Sequence, residues 1–326
     1  MTLFTPPSSS TLSTTQTKGD GDELDLPSQK KYYAYLSRSG LAGLVILGTN
    51  AETFLLTRDE RRALLQCARD ACGPDFPIMA GVGGHSTAQV LEYVQDAADA
   101  GADYILLLPV GYLGLKPSSP PEVIHGFFRD VSRFARDKGR NMGTVVYNFP
   151  GVCNGVDLDS ATIATLAREN KGNIVGVKLT CGSVAKITRL AAELDREDFA
   201  VFGGQSDFLI GGLAVGSAGC IAAFANVVPR TIVRVYDLWK KKEKGMGGEE
   251  EALRLHRTAA LAEQKVKAGG VAAVKYAASL LSAPRAGVEG AEALMAPRRP
   301  YLPLGEEAKR VIREGLAGVL EIEGRL

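Results

Sequence analysis

Lys178 stands inside the apolar run Ile174-Val175-Gly176-Val177-Lys178-Leu179-Thr180. Four of these seven residues are β-branched, and Gly172 and Gly182 bracket the run. This pattern predicts a strand buried on both faces. A lysine there is conspicuous, because burying an ammonium without a partner is unfavourable. Losing the proton relieves that cost, and a desolvated lysine does so near neutral pH. A neutral amine in apolar surroundings is a nucleophile toward carbonyl carbon. Taken alone, the same residue also fits a lysine near a strand end that snorkels to solvent. The choice therefore rests on what surrounds it.

Apolar segments at residues 43–47, 77–82, 103–108, 143–147, 174–180, 199–202 and 219–224 read as strands. Helical patterns separate them, at 28–38, 58–72, 86–100, 121–138, 159–169, 183–194 and 206–215. Leu3-Phe4-Thr5-Pro6 supplies a possible first strand, and residues 8–21 read as a mobile loop. Strict alternation implies parallel strands with right-handed crossovers, and eight repeats close into a (β/α)8 TIM barrel. An open doubly wound sheet is disfavoured, because Gly81-Val82-Gly83-Gly84 has Ser86 where a dinucleotide loop needs its third glycine. The expected division is an irregular segment 1–27, a barrel over 28–227 and an additional C-terminal helical region over 228–326. That last region carries helices near 229–242, 249–267, 270–281 and 306–316.

Barrel enzymes act at the C-terminal ends of their strands. Those ends carry Thr49 and Asn50 after strand two, Tyr112 after strand four and Tyr147 on strand five. Lys178 lies on strand six, and Gln205 and Ser206 follow strand seven. Each has a bland reading. Thr49 and Asn50 suit a turn cap, Tyr147 a core tyrosine, Tyr112 exposed packing, and Gln205-Ser206 a helix cap. Converging on one mouth, they suit chemistry through an imine. The amine attacks a ketone, a phenol moves protons, and hydroxyl and backbone N–H groups hold a carboxylate.

Composition removes other classes. Lys and Arg number 38 against 37 Asp and Glu, for a net charge of +1. That balance gives no support for a nucleic-acid surface or an anionic membrane surface. Cys67, Cys72, Cys153, Cys181 and Cys220 are odd in number and lack a Cys-x-x-Cys pair, which fits a reducing compartment. The three histidines form no ligand-spaced cluster, so no metal site is expected. No run of eighteen apolar residues occurs, so no membrane span is expected, nor does the N-terminus read as a secretory signal. A cytoplasmic location is the expectation.

Gly48-Thr49-Asn50-Ala51-Glu52, Tyr147-Asn148-Phe149-Pro150 and Gly176-Val177-Lys178 together resemble the signatures of the dihydrodipicolinate synthase / N-acetylneuraminate lyase family. The resemblance runs in order over residues 28–282. It implies a (β/α)8 class I aldolase that joins lysine to pyruvate, or to a 2-keto acid yielding it, as a Schiff base. It further implies no metal or organic cofactor, a small aldehyde as co-product, and a homo-oligomer, dimer or tetramer. Carried over by position, Lys178 is the imine lysine and Tyr147 the acid/base phenol. Thr49 and Asn50 bind the pyruvate carboxylate. Tyr112 resembles a tyrosine that reaches into a neighbouring subunit, and Ile221 matches a position whose carbonyl faces the lysine.

The departures bear on substrate. Asn50 and Ala51 replace the second Thr and the Gly of the synthase motif Gly-Thr-Thr-Gly-Glu. The Thr-Asn pair is more similar to the 4-hydroxy-2-oxoglutarate and 2-keto-3-deoxy-sugar-acid aldolases. Val152 occupies the place where synthases hold an arginine for the carboxylate of aspartate semialdehyde, and an apolar side chain cannot supply that contact. Gly111 stands where a second aromatic is usual. The preferred expectation is cleavage of a sugar acid such as L-threo-3-deoxy-hexulosonate, with Gln205 and Ser206 on its polyol tail, and 4-hydroxy-2-oxoglutarate close behind. Dihydrodipicolinate synthase is the enzyme alternative, and a non-catalytic ligand-binding barrel the alternative of another class.

Overall fold

A computed structural model describes residues 9–12, 17–18, 23–113, 120–138 and 141–326. Eight parallel strands close into a barrel: β1 (Ser9–Leu12), β2 (Gly43–Ile46), β3 (Ile78–Gly81), β4 (Tyr104–Leu107), β5 (Gly143–Asn148), β6 (Ile174–Leu179), β7 (Ala200–Gly203) and β8 (Gly219–Ala222). Closure runs through β1, which pairs Ser10 with Ile221 of β8 and Thr11 with Leu44 of β2. The first strand thus falls within the stretch expected to be a mobile loop, and the pairing explains why. An eighth strand is needed to satisfy the facing backbone edges of β2 and β8, so polar Ser9-Ser10-Thr11 is recruited by position despite its weak apolar signal. Leu3 to Pro6 lie outside the described residues.

A helix follows each strand: α1 (Leu26–Ser37), α2 (Arg58–Cys72), α3 (Thr87–Asp99), α4 (Glu122–Asp137), α5 (Ser160–Glu169), α6 (Val184–Glu193), α7 (Leu209–Ala214) and α8 (Pro229–Glu243). Their starts are written in the sequence. Thr57 and Glu60 close a capping box on α2, and Ser86, Asp159 and Ser183 cap α3, α5 and α6. At α1 the cap is Asp25, whose carboxylate accepts the Ser28 N–H at 3.2 Å, so the helix starts one turn before the expected Ser28.

After α8 come α9 (Glu249–Ala268) and α10 (Gly270–Ser279), and later a last long helix, Glu306–Arg325. Glu323 of that helix is fully buried and accepts the Thr231 N–H and hydroxyl, both at 2.7 Å, and the Arg230 N–H at 3.0 Å. A carboxylate there compensates the N-terminal dipole of α8 and satisfies its first amides. Among the described residues no helix is long and apolar enough to cross a membrane.

Candidate active site

Tyr147 and Lys178 are partners in the parallel register of β5 and β6. Partners in register leave the sheet on the same face, so the fold itself brings phenol and amine together. Lys178 is fully buried, with its Nζ 4.2 Å from the centroid of the Tyr147 ring. The Nζ has no hydrogen-bond partner among the described residues. Burial therefore lowers its pKa well below the ordinary lysine range. A snorkelling lysine would show an exposed ammonium; this one is enclosed and poised to be neutral.

The Tyr147 hydroxyl shares a hydrogen bond of 3.2 Å with that of Thr49. Burial pushes the phenol up to about 12, against the opposing effect of the Thr49 bond. At neutral pH it is a protonated relay. Thr49 lies in a single 3-10 turn, Thr49–Ala51, directly after β2. The turn ends at Glu52, a non-glycine residue in left-handed conformation with φ 54°, an uncommon geometry that needs outside support. The support comes from far along the chain. Glu52 accepts Lys275 Nζ at 2.7 Å and the Arg298 N–H at 2.8 Å, and both charged side chains of the Glu52–Lys275 pair are buried.

A cavity of about 250 Å³ opens over this group. Thr49, Asn50, Tyr147 and Thr180 line its barrel side, and Glu263, Lys267, Gly270 and Val271 its helical side. Gly204 forms part of the wall because nothing larger fits: a Cβ there would lie 2.0 Å from the Thr180 hydroxyl. A buried amine behind the Tyr147 phenol, with the Thr49 hydroxyl and its turn on the cavity wall, is an arrangement that could support imine chemistry on a 2-keto acid.

The structure gathers Tyr147, Thr49, Asn50 and Gln205 at this cavity, with Lys178 buried beneath it against the Tyr147 ring. Ser206 is buried beside it, with its hydroxyl donated to Glu263 at 2.5 Å. Ile221 is fully buried on β8 next to Cys220, whose thiol burial pushes up. Tyr112 lies elsewhere in the chain's own fold. It is 79 % exposed, meets His85 edge-on at 5.4 Å between centroids, and lines a separate hollow with Phe54, Gly111 and Val152.

Sequence reasoning missed Glu263 and Lys267, one turn apart on α9. Sequence reasoning placed a helix here without assigning its faces, and Leu255, Ala259, Ala262 and Val266 form a buried stripe. Glu263 stands beside that stripe. Its carboxyl is 6 % exposed and accepts both the N–H and the hydroxyl of Ser206, and burial pushes its pKa up to about 7. The stripe was the available signal.

Comparison with known proteins agrees with this geometry. The sequence model described as the dihydrodipicolinate synthetase family matches residues 8–317. A Coccidioides immitis protein, provisionally named a mitochondrial 4-hydroxy-2-oxoglutarate aldolase, is 60 % identical over 305 residues, covering 94 % of this chain and 93 % of its own. A Hypocrea jecorina protein named L-threo-3-deoxy-hexylosonate aldolase is 32 % identical over 94 % of each chain. The crystal structure of an E. coli K12 prophage protein of the dihydrodipicolinic acid synthase family, in complex with pyruvate, superposes with a TM-score of 0.83 at 26 % identity, over 96 % of this chain and 98 % of that one.

Proposed function

The chain belongs to the dihydrodipicolinate synthetase family and is an enzyme of the class I aldolase type, and from that premise we propose that it cleaves a 4-hydroxy-2-oxo acid to pyruvate and an aldehyde through an imine on Lys178. Both 4-hydroxy-2-oxoglutarate and L-threo-3-deoxy-hexulosonate, the compounds in the relatives' names, have that head. The observation that carries the reading is the enclosed, unpartnered Lys178 amine against the Tyr147 ring.

The steps follow from the side chains. The neutral Lys178 amine adds to C2, and with one proton taken up from solvent, water leaves to give the protonated imine. Thr49 and Asn50 hold the C1 carboxylate through hydroxyl and backbone N–H. Tyr147 receives the C4 hydroxyl proton as it passes its own toward Thr49, the relay that a phenol near pKa 12 permits. The C3–C4 bond breaks, the aldehyde departs, and its electron pair enters the imine as an enamine. The Thr49–Tyr147 relay returns that proton to C3, and hydrolysis frees pyruvate, the amine and the proton taken up on imine formation. No metal or organic cofactor enters these steps.

Exposed Tyr112, with Phe54 and Val152 around its hollow, suits the cross-subunit role implied by the family, and we assign the chain to a dimer or tetramer on that basis. Its five free cysteines suit a reducing compartment, the cytoplasm or, as its Coccidioides relative is named, the mitochondrion. The test is borohydride reduction with pyruvate, read by intact mass and peptide mapping. A reduced pyruvyl adduct on Lys178, lost in Lys178→Ala together with turnover, is the expected result. Full turnover by Lys178→Ala would refute it.

A further inference from the structure

The head of the substrate is held by Thr49, Asn50 and Lys178, but the tail must be read by whatever lines the rest of the cavity. Among the described residues lining it, Glu263 and Lys267 are the charged ones. Val152, at the position where an arginine would hold an acidic tail, lines a different hollow. Its apolar character therefore says nothing about the tail, because this cavity draws its cation from another element, the last turn of α9.

We infer that Lys267 is the specificity residue that receives a distal carboxylate, so that the preferred substrate is a dicarboxylic 4-hydroxy-2-oxo acid, cleaved to pyruvate and an acidic aldehyde, over one with a neutral polyol tail. This rests on the aldolase reading above and refines its substrate. The Lys267 ammonium donates to the Gln205 side-chain amide oxygen at 2.8 Å, which aims it and leaves two of its three donors. Asp207 is the nearest competing anion, at 3.7 Å, beyond hydrogen-bond distance. The other acid on that wall, Glu263, is held by Ser206, whose N–H and hydroxyl each donate to one of its two oxygens. Its buried carboxyl, with a pKa near 7, keeps much of its proton at neutral pH, which limits repulsion of an incoming carboxylate. A polyol tail gains less here, since the Gln205 amide oxygen already accepts from Lys267 and the Ser206 hydroxyl, which does not line the cavity, donates to Glu263.

The test compares 4-hydroxy-2-oxoglutarate with L-threo-3-deoxy-hexulosonate on the full-length protein, in wild type, Lys267→Met, Lys267→Arg and Lys265→Gln. Lys265 is an exposed neighbour on α9 and controls for general charge. A charge-assisted hydrogen bond in a partly exposed site supports a change of about tenfold. The expected result is a kcat/KM ratio favouring the dicarboxylate in wild type, reduced at least tenfold by Lys267→Met, mainly through KM. Lys267→Arg restores part of the ratio, and Lys265→Gln leaves it unchanged. A wild-type preference for the polyol acid, or a ratio unmoved by Lys267→Met, overturns the inference. Pyruvate trapping on Lys178 is measured in the same preparations. If wild type traps pyruvate while the ratio stays flat, only the specificity inference fails; if wild type traps none, the aldolase reading fails with it.

Discussion

Replacing Glu263 by glutamine removes a group whose ionisation opposes the fold. The carboxyl is raised from 4.5 to about 7, mainly by burial, with Asp207 adding to the rise and the Ser206 bonds and Lys267 opposing it. That difference corresponds to about 3 kcal/mol between the protonation states. The sign follows from proton binding. Between about pH 4.5 and pH 7 the unfolded chain has given up this proton and the folded chain still holds it, so wild-type stability falls as pH rises through that window. Above pH 7 the full penalty applies; below pH 4.5 it vanishes. Glutamine mimics the protonated acid, accepting the Ser206 N–H and donating to its hydroxyl, and does not titrate. His256, bonded to the Ser206 carbonyl, Asp207, Lys267 and Cys220 face the same site in both proteins, so the comparison is the difference between variant and wild type. Urea unfolding at intervals from pH 4.5 to 8 should show Glu263→Gln gaining on wild type by about 3 kcal/mol across the window. A difference that stays flat with pH would refute the reasoning.

Lys275→Met leaves Glu52 buried without its ammonium and should destabilise the protein by about 3–5 kcal/mol, with a rise in KM for the keto acid as the Thr49 turn loosens. Adding Glu52→Gln should recover part of that loss, and a double variant worse than the sum of the singles would contradict the pairing. Tyr147→Phe keeps the ring over Lys178 but deletes the relay, so kcat for cleavage should fall about 100-fold or more; steady-state pyruvate release at the wild-type rate would show that the phenol moves no proton.

The barrel was legible because seven of its strands are written in apolar runs punctuated by glycine and capped helices. β1 was not, since Ser9, Ser10 and Thr11 form a strand through the two neighbours that flank them, and local composition carries no record of that. The head of the site was equally readable: Lys178 is an anomaly within its own strand, and Tyr147 shares its register. The tail-facing residues were harder. Glu263 and Lys267 come from outside the eight strand–helix repeats, and their approach to the cavity depends on how α9 packs. Lone charges on a charged helix look the same whether they face water or a cavity. Val152, matched by motif to a substrate-facing position, lines a different hollow here.

Glu52 closes the turn that carries Thr49, the proposed seat of the keto acid, yet its lysine partner is 223 residues further along the chain and its Arg298 donor 246. During synthesis every barrel strand, and with them the nucleophile, leaves the ribosome before either partner exists. A nascent barrel therefore carries the buried lysine before its Glu52 turn is fastened, and only the final third of the chain supplies the two donors that lock that turn.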